Sequence, residues 1–353
     1  MKYAWVRCAA WGLLFALSSV LCGCGRGSGG GSGGEGSSPR LLFVTNSNAD
    51  WWNAVEKGML DGGEEFGIRV QMRRNEGDTQ GQVDKLREAL SLPDVKGVAV
   101  SVIEADAPGV IDVMRQLQKA GKVVIVIDSD VAPEFADARR AYIGTNNVKA
   151  GEVAGQAAAQ LRPQGGKTAL FVGTVAAANA REREQGFFQG AGEAFRKSQT
   201  WEDGGDHARA IQNVQSALTR DTDLDVLVGL WSYNAPAIAE EVSKSPRTRE
   251  RVSVVTFDLD QAARKHIADG YIDVSVCQNP YEMGRQGVRL LKALIERDEA
   301  TIQDVLPDGK GRDTGVRVVV PDTGSPVIGL EGEEVLTIEE MNVWLDSKGL
   351  TST

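Results

Sequence analysis

Residues 41–58, LLFVTNSNADWWNAVEKG, decide the fold of this 353-residue chain. The apolar run at 41–44 is typical of a strand that is buried on both faces. A polar turn at 45–50 separates this run from a helical pattern in which Trp51 and Val55 share one face. A strand, a loop and a helix in this order predict an α/β domain, whose ligands bind beyond the carboxyl ends of the parallel strands.

Two adjacent tryptophans, Trp51 and Trp52, follow the polar turn. One of the two rings can point into the domain, but its neighbour cannot easily take the same direction. We therefore predict that the pair forms an aromatic wall of a small-molecule cleft. The alternative is that both rings belong to the core and cover the edge of the sheet.

The alternation of strand-like and helical patterns continues along the chain in two successive series. Helical patterns of 10–15 residues between strands predict parallel sheets with right-handed crossovers. The fold class is therefore α/β, with two similar flavodoxin-like or Rossmann-like lobes that are joined by a crossover hinge near Gly144 and Gln278. The strand-like runs lie at 41–45, 68–72, 97–102, 122–127 and 140–143, then at 168–172, 225–230, 252–257, 272–276 and 315–320.

Two further helical patterns lie in the second half of the chain. One covers residues 181–197, in the second series. The other follows Thr337 and Glu340, which have the spacing of a capping box. We expect this second helix to be short and amphipathic, to carry Met341, Val343, Trp344 and Leu345, and to dock on the body of the protein.

These patterns divide the chain into five parts. We predict a signal segment at 1–24, a Gly/Ser-rich linker at 25–39, an N-terminal lobe from 40–143 plus 279–310, a C-terminal lobe from 144–278 plus 311–322, and a C-terminal extension at 323–353.

The first 24 residues have the organisation of a targeting segment. Basic residues at the start precede an apolar region at 9–21 that is too short to span a bilayer. The sequence Leu-Cys-Gly-Cys at 21–24 resembles the lipobox of bacterial lipoproteins, with Cys24 as the lipid-accepting residue. Cys22 fits less well, because Ser19 would then stand at the aliphatic position. We expect an exported protein anchored to a membrane through Cys24 and a flexible tether; a cleaved signal without lipid is the alternative.

Composition excludes several classes of function. The formal charge of −10 becomes −12 without the basic Lys2 and Arg7 of the signal segment, and no long basic run remains. Nucleic acid is therefore not an expected partner. Once the signal is removed and Cys24 is lipidated, Cys277 is the one cysteine left, so neither a disulfide, a zinc cluster nor a thiol-redox pair can be built. We predict no metal and no cofactor.

Motifs for catalysis are incomplete. The Gly-Lys-Thr sequence at 166–168 lacks the glycine that a phosphate-binding loop requires five positions earlier, where Leu161 stands, and it precedes a strand. No dinucleotide fingerprint follows a strand, and no nucleophile elbow is present. His207 and His266 have no evident nucleophile to activate. The sequence therefore predicts a protein that is not an enzyme.

Polar side chains recur where predicted strands end. Asp128 and Ser129 follow one strand, Asp258 follows another, and Trp231 and Gln278 follow two more. Carboxylates accept hydroxyl hydrogen bonds, amides both donate and accept, and aromatic rings cover the C–H face of a sugar. Each aspartate taken alone could instead cap a helix. Their recurrence at several strand ends favours a site that recognises hydroxyl groups.

These motifs, in this order, resemble those of the ribose/galactose-type periplasmic sugar-binding proteins, which are type I periplasmic binding proteins with a core shared by the lac-repressor family. The resemblance covers roughly residues 41–320. It is carried by the aromatic pair within 45–58, VIVID at 124–128, IGTNN at 143–147, AREREQGF at 180–187, VTFD at 255–258 and QNP at 278–280.

The resemblance implies which residues contact the ligand. The paired aromatics match Trp51 and Trp52, and the remaining matching positions are Thr45, Asp128, Arg183, Asp258 and Gln278. The chain departs from the family pattern at Ala49, where asparagine is frequent, and at Ser129, where arginine is frequent. It also lacks a second-lobe aromatic near Gly205. Trp231 is the candidate replacement, and we include Ser129 and Trp231 in the expected ligand-binding set.

The implied function is that of a lipid-anchored solute-binding protein of an ABC importer. It would bind a monosaccharide or related polyol between its lobes, close on it, and present the closed form to an importer permease or a membrane sensor. We expect a monomer. One alternative is a sugar-sensing subunit for a transmembrane signalling protein, and another is an enzyme on a flavodoxin-like fold. A repressor core is disfavoured by the signal segment and by the lack of an N-terminal helix-turn-helix.

Overall fold

The computed structural model describes residues 38–353. The predicted signal segment, Cys24 and nearly all of the linker lie outside the described residues. Within the described part, no helix is both long enough and apolar enough to cross a membrane.

The described chain alternates strands and helices along most of its length. The strands are β1 Arg40–Val44, β2 Arg69–Arg73, β3 Val95–Val100, β4 Val123–Ile127, β5 Tyr142–Gly144, β6 Gly166–Val172, β7 Phe195–Glu202, β8 Val226–Gly229, β9 Ser253–Phe257, β10 Val274–Gln278, β11 Gly311–Asp313, β12 Val316–Val320 and β13 Val335–Thr337. The helices are α1 Trp52–Phe66, α2 Thr79–Ser91, α3 Pro108–Lys119, α4 Asn147–Leu161, α5 Ala178–Ala191, α6 His207–Arg220, α7 Asn234–Ser243, α8 Pro246–Arg251, α9 Gln261–Ala268, α10 Pro280–Glu296, α11 Glu299–Val305 and α12 Ile338–Lys348, with a short 3-10 helix at Pro133–Ala138.

The first sheet has six strands in the order β11-β5-β4-β3-β1-β2, and all of its pairs are parallel. Strand β1 lies between β2 and β3, which explains why Leu41, Leu42, Phe43 and Val44 are all fully buried. Helices α1 and α10 pack against each other, and α10 also contacts β3 and β4. The apolar run that opens the chain's folded part is therefore the interior of this sheet.

The second sheet has seven strands in the order β13-β12-β10-β9-β8-β6-β7. All pairs are parallel except β10 with β12, which run antiparallel. The two sheets confirm the predicted α/β fold with two lobes built mainly from parallel strands. Their carboxyl ends supply the residues of the site described below.

The chain passes between the sheets at three places, after β5, after β10 and between β11 and β12. Two of these places are near Gly144 and Gln278, as the sequence indicated. The third differs from the predicted boundaries, because residues 311–313 were assigned to the C-terminal lobe. Gly311–Asp313 instead pairs in parallel with Tyr142–Gly144 and extends the first sheet, so Gly144 also belongs to that sheet.

One predicted helix was too long. The pattern at 181–197 predicted a single helix, but α5 ends at Ala191 and Gly192 adopts a φ of 81°. A left-handed glycine ends a helix readily because it has no Cβ to clash with the backbone. The chain then forms β7, which pairs with β6 at the edge of the second sheet.

The C-terminal extension is part of the second lobe. Strand β13 pairs with β12, and Thr337 and Glu340 form the predicted capping box of α12. Met341 and Leu345 are fully buried in the core of this lobe. Val343, on the same helix, is 65% exposed, because the buried stripe runs through Ile338, Met341 and Leu345, at spacings of three and four residues.

Candidate ligand site between the lobes

A cavity lies between the lobes at the carboxyl ends of both sheets. Most of the expected ligand-binding residues line it, namely Trp51, Trp52, Asp128, Arg183, Trp231, Asp258 and Gln278. Residues at the carboxyl ends of β4, β9 and β10 therefore meet residues from the loop after β1 and from α5, as ligand sites of open parallel sheets require. The cavity wall is completed by Asn46, Ser47, Ala49, Asn179, Ser232 and Tyr233.

Two expected residues, Thr45 and Ser129, are not part of the cavity wall. The Thr45 hydroxyl donates to the carbonyl of Ser47 at 2.6 Å and accepts from the backbone amide of Asn75 at 2.8 Å. It therefore shapes the loop after β1. Ser129 is fully buried, and its hydroxyl has no hydrogen-bond partner among the described residues.

Asp128 and Asp258 occupy corresponding positions in the two lobes. Asp128 follows the last residue of β4 and Asp258 follows the last residue of β9. Both have left-handed backbones, with φ values of 63° and 62°. This conformation is uncommon for residues other than glycine, although aspartate tolerates it better than most. Both strands thus end in a turn that directs a carboxylate to the cavity.

The carboxylate of Asp128 is held by neighbours of its own lobe. It accepts a hydrogen bond from the Ser101 hydroxyl at 2.7 Å and one from the Asn46 amide at 3.3 Å. Burial raises the pKa of Asp128 to about 6, although the charge of Arg183 and the Ser101 hydrogen bond act in the opposite direction. This side chain therefore changes its charge within a few pH units of neutrality.

Asp258 is fixed through Gln278, which ends β10. One carboxylate oxygen accepts the Gln278 backbone amide at 2.9 Å, and the other accepts the Gln278 side-chain amide at 2.7 Å. The Gln278 carbonyl oxygen accepts the Thr145 hydroxyl at 2.9 Å. Burial raises the pKa of Asp258 above its ordinary value, against the effect of Arg183. Two crossing segments are thereby linked to one carboxylate of the cavity.

Arg183 is the positive centre of the site and is only 1% exposed. Its Nε donates to Asn147 at 3.0 Å and its Nη1 donates to the carbonyl of Leu230 at 2.7 Å. Its guanidinium lies 4.5 Å from the centre of the Phe257 ring, within cation–π range. Nη2 has no hydrogen-bond partner among the described residues. A buried donor of this kind is suited to a ligand oxygen, because leaving it unpaired costs free energy.

The paired tryptophans serve both the core and the cavity. Their rings meet edge to face with centroids 5.0 Å apart, and both belong to the core cluster of the first lobe. Trp52 is 2% exposed and Trp51 6%, yet both contribute to the cavity wall. The pair is therefore both a part of the core and a part of the cavity wall, the two alternatives that the sequence left open.

Trp231 supplies an aromatic surface from the second lobe. Its indole Nε1 donates to Asn179 at 3.2 Å. Gly173 is essential to this position, because a Cβ there would lie 2.1 Å from the Trp231 ring. Trp231 thus lines the cavity, as expected for a replacement of the missing aromatic.

Several residues of the site were not singled out from the sequence. Asn46 and Ser47 belong to the polar turn at 45–50. Their position just before the paired tryptophans is the sequence feature that could have identified them as cavity residues. Asn179 stands at the start of α5. Tyr233 could not be recognised, because its hydroxyl is directed by a 2.5 Å hydrogen bond to Asp203, which comes from a distant loop. Burial raises the pKa of Asp203.

Metal chemistry has no evident site in the described part of the chain. Among residues 38–353, no group of three or more His, Cys, Asp or Glu side chains is placed to hold a metal ion. Cys277 is a buried free thiol, and burial raises its pKa above the ordinary thiol value.

The sequence and the fold have counterparts among known proteins. The chain is 27% identical over 286 residues to the D-allose-binding periplasmic protein of Escherichia coli, which covers 76% of this chain and 88% of that protein. It is 25% identical over 276 residues to a D-ribose/D-allose-binding protein of Pseudomonas aeruginosa, with coverage of 75% and 85%.

A solved structure shows the same similarity in three dimensions. The ABC transporter solute-binding protein of Burkholderia graminis, in complex with D-arabinose, superposes with a TM-score of 0.73 at 25% identity. The match covers 84% of this chain and 98% of that one. A solute-binding protein from Agrobacterium vitis with bound D-fucose has the same fold, with a TM-score of 0.73, 21% identity and coverage of 84% and 99%.

A family model described as a periplasmic binding protein domain matches residues 41–299, which is most of the folded chain. The match confirms the resemblance drawn from the motifs, and membership implies an exported binding protein that is not an enzyme. From its sequence, its two-lobed fold and its relatives, this chain belongs to the periplasmic binding protein domain family.

Proposed function

We propose that this protein is the lipid-anchored solute-binding component of an ABC importer and that its solute is a monosaccharide or a related polyol. The observation that carries the proposal is the cluster of Asp128, Asp258 and Arg183, all buried around one cavity between the lobes. The two carboxylates accept hydrogen bonds from hydroxyl groups, and the free Nη2 of Arg183 donates one.

The aromatic walls complete the recognition of a sugar. Trp51 and Trp231 contribute to the cavity from opposite lobes. Aromatic rings bind the apolar C–H face of a pyranose or furanose, while the polar groups at its edge select the hydroxyl pattern. The relatives named for D-allose and for D-ribose support a sugar of this size.

Binding between lobes gives the importer a signal that it can recognise. Three segments pass between the sheets, and a hinge at such segments allows the lobes to close on a ligand. The closed form then presents a surface made by both lobes to the permease. We expect the protein to act as a monomer in this role.

Titration calorimetry with purified full-length protein and a panel of monosaccharides tests the proposal. The panel contains D-allose, D-ribose, D-arabinose, D-fucose, D-galactose and D-glucose. We expect at least one to bind with a Kd of micromolar or below, and mass spectrometry should recover that sugar unchanged after incubation. Consumption of the sugar would support the enzyme alternative, and lack of binding to every member would contradict the proposal.

The anchor is tested independently of the site. Cys24 lies outside the described residues, and the resemblance of 21–24 to a lipobox supports its lipidation. Replacing it, as Cys24→Ser, should release the protein from membranes without changing sugar affinity, because the Gly/Ser-rich linker separates the anchor from the lobes. A Cys24→Ser protein that stays in the membrane fraction would assign the anchor to another residue.

The sensing alternative predicts a different partner. A sensor subunit would associate with a transmembrane signalling protein in its sugar-bound state, whereas an importer component associates with a permease. Affinity capture of the sugar-loaded protein from its own membranes distinguishes the two. We expect a permease of an ABC importer to be retained, and a transmembrane kinase in its place would support sensing.

A further inference from the structure

A buried carboxylate, Asp203, contacts the wall that the second lobe contributes to the cavity. It directly follows β7, is 1% exposed, and lines neither the cavity nor a larger space that adjoins it. One of its oxygens accepts the Tyr233 hydroxyl at 2.5 Å and the Gly205 backbone amide at 2.8 Å. The other oxygen accepts the Asn234 side-chain amide at 3.0 Å. Asp203 therefore holds residues of the wall without being part of it.

The number of donors explains why a carboxylate suits position 203. The three donors come from two segments of the chain, and all of them are neutral. A carboxylate offers about four acceptor sites on two oxygens, whereas an asparagine offers one acceptor oxygen. An amide at this position would leave at least one of the donors poorly paired. The buried charge, which carries a desolvation cost, thus satisfies donors that a neutral side chain of the same size could not.

The segment that Asp203 holds is the turn at 231–234, which follows β8. Within this turn, the Asn234 side-chain oxygen accepts the Trp231 backbone amide at 3.1 Å, and the Trp231 carbonyl accepts the Asn234 backbone amide at 3.0 Å. Asn234 is fully buried, and its side-chain nitrogen donates to Asp203. Tyr233 is therefore linked to the carboxylate directly, and Trp231 is linked to it through Asn234.

The carboxylate and the turn meet beside Gly173, which follows β6. The backbone amide of Gly204, next to Asp203, donates to the carbonyl of Gly173 at 2.8 Å. A Cβ at Gly173 would lie 2.1 Å from the Trp231 ring and 2.7 Å from the Tyr233 hydroxyl. The aromatic residues can therefore approach this backbone only because it has no side chain.

The two aromatic rings of the turn form one wall of the cleft. Their centroids lie 6.3 Å apart, and their planes meet at 73°. Trp231 and Tyr233 line both the cavity between the lobes and the adjoining space, which has a volume of about 570 Å³. Pockets that enclose small molecules usually measure roughly 300–1,000 Å³. A monosaccharide held between the lobes can therefore contact both rings.

The contact with Asp203 also determines what Tyr233 can offer a solute. A phenol has a single proton, and Tyr233 donates that proton to the carboxylate. The phenol oxygen can then only accept a hydrogen bond. It lies near Gly173, which lines the adjoining space. Tyr233 is thus suited to a solute that donates a hydroxyl.

We propose, on the basis of the sugar-binding function proposed above, that Asp203 is a positioning residue of the solute site. It holds Tyr233 through the phenol and Trp231 through Asn234, and it thereby sets the aromatic wall that the second lobe presents to the sugar. Tyr233 accepts a hydroxyl of the sugar, and Asp203 itself does not contact the sugar.

Calorimetry on the full-length protein tests this role. The probe is the tightest-binding of D-allose, D-ribose, D-arabinose, D-fucose, D-galactose and D-glucose. Asp203→Asn should weaken binding at least ~10-fold, because Tyr233 and Asn234 lose a charged acceptor. A folded Asp203→Asn protein that binds as tightly as the wild type would overturn the proposal and leave the sugar-binding function intact. A wild type that binds none of the six sugars would overturn both.

Asp61→Asn is the matched control. Asp61 accepts the Tyr281 hydroxyl at 3.0 Å, and neither residue lines the cavity or the adjoining space. This variant therefore removes the charge of a carboxylate that is paired with a tyrosine, as Asp203→Asn does, but at a distance from the solute. It should bind the sugar normally. A loss as large as that of Asp203→Asn would show that the effect is not specific to the wall.

Tyr233→Phe tests the same contact from the other side, because it keeps the ring and removes only the hydroxyl. It should weaken binding at least ~3-fold, whereas Tyr281→Phe should leave the affinity unchanged. This pair decides the question alone if Asp203→Asn does not fold. A merely structural role would lower the urea midpoint of Tyr233→Phe without changing its affinity for the sugar, and that result would overturn the proposal.

The double variant separates positioning from two independent effects. Asp203→Asn and Tyr233→Phe alter the same hydrogen bond, so together they should weaken sugar binding by less than the product of their separate fold-changes. Urea denaturation of each variant establishes that the calorimetry is carried out on folded protein. A combined loss equal to the product would mean that the two residues act independently, and it would contradict the role assigned to Asp203.

Discussion

At the residue scale, the site consists of two carboxylates around one guanidinium. Asp128 and Asp258 are both fully buried at strand ends, and the charge of Arg183 partly offsets the cost of burying them. Nη1 and Nε of the arginine are committed to protein acceptors, and Nη2 is free. This leaves carboxylate lone pairs and one cationic donor for the hydroxyls of a ligand.

Truncating Asp258 should weaken sugar binding while the fold survives. Asp258→Ala removes an acceptor for the ligand and leaves two donors of Gln278 unpaired. The loss of a charged hydrogen-bond partner typically costs ~1.5–3 kcal/mol, which corresponds to a decrease in affinity of at least ~10-fold. Asp112→Ala, at an exposed position of α3, is the matched control and should bind normally in calorimetry. Unchanged affinity in Asp258→Ala would remove this residue from the site.

Asp128 should make the free energy of unfolding depend on pH. Its pKa is about 6 in the folded protein and 3.8 in the unfolded chain. Because the folded pKa is the higher one, its stabilising contribution is complete below 3.8 and is lost as pH rises through about 6. Relative to Asp128→Asn, the wild type should therefore lose up to ~3 kcal/mol of unfolding free energy between about pH 4 and about pH 8.

Urea denaturation of both proteins at the two pH values measures this difference. Any constant effect of the substitution on Arg183 cancels, because only the change with pH is compared. The difference in unfolding free energy between the wild type and Asp128→Asn should change with pH. If it were the same at both pH values, or if it favoured the wild type more at high pH, Asp128 would not be a buried carboxyl with a raised pKa.

Residue identity alone predicted part of the site. The aspartates at the ends of β4 and β9, Arg183 and the paired tryptophans could be recognised because their positions follow from the alternation of strands and helices. The position of Thr45 and Ser129 off the cavity wall could not be read from the sequence, because the direction of a short hydroxyl side chain depends on turn geometry. The hydroxyl of Thr45 is used by the backbone of its own loop and of residue 75.

At the element scale, α12 stabilises the second lobe through a narrow buried stripe. Met341 and Leu345 are fully buried. The guanidinium of Arg317, from β12, lies 4.5 Å from the centre of the Trp344 ring. The helix begins with a capping box at Thr337 and ends at Gly349, which has a left-handed backbone. The segment that follows contacts the other lobe, where the Ser352 hydroxyl donates to the carbonyl of Asp50 at 3.4 Å.

Two substitutions on this helix should differ strongly in their effect. Leu345→Ala should lower the free energy of unfolding by about 2–5 kcal/mol, because it removes buried methyl groups and leaves a cavity. Val343 lies on the exposed face of the helix, away from the buried stripe. Val343→Ala should therefore change the free energy of unfolding by less than about 0.5 kcal/mol. Urea denaturation measures both. Equal effects would mean that α12 is not packed on the lobe as described.

The elements that were missed are short or lie at sheet edges. Strand β7 is an edge strand whose side chains are mostly polar, so its sequence lacks the apolar run that marks the central strands. Strands β11 and β13 have only three residues each. Their pairing is decided by the position of the partner strand, which a local pattern does not contain.

At the scale of the whole molecule, the two lobes meet across the site. The backbone amide of Ala105, after β3, donates to the carbonyl of Ala176, before α5, at 3.2 Å. Ala105 and Ala178 also share a small apolar cluster with Ala132. A hydrogen bond between Thr145 and Gln278 also links two crossing segments. The two lobes are therefore in direct contact, and opening the cleft would require these contacts to separate.

Closure should be visible in solution. Adding the tightest-binding sugar of the panel should lower the radius of gyration measured by small-angle X-ray scattering, because ligand contacts with both lobes favour the closed form. Asp258→Ala with the same sugar concentration should change less. A radius of gyration that stays constant at saturating sugar would indicate a rigid site and would argue against recognition of a closed form by an importer.

The most direct test of the central claim is a crystal structure of the protein with its tightest-binding sugar. The account predicts a sugar between the lobes, with hydroxyls within hydrogen-bond distance of Asp128, Asp258 and Arg183 Nη2 and a ring face against Trp51 or Trp231. A sugar bound on an outer surface of either lobe, with the cavity between them empty, would contradict it.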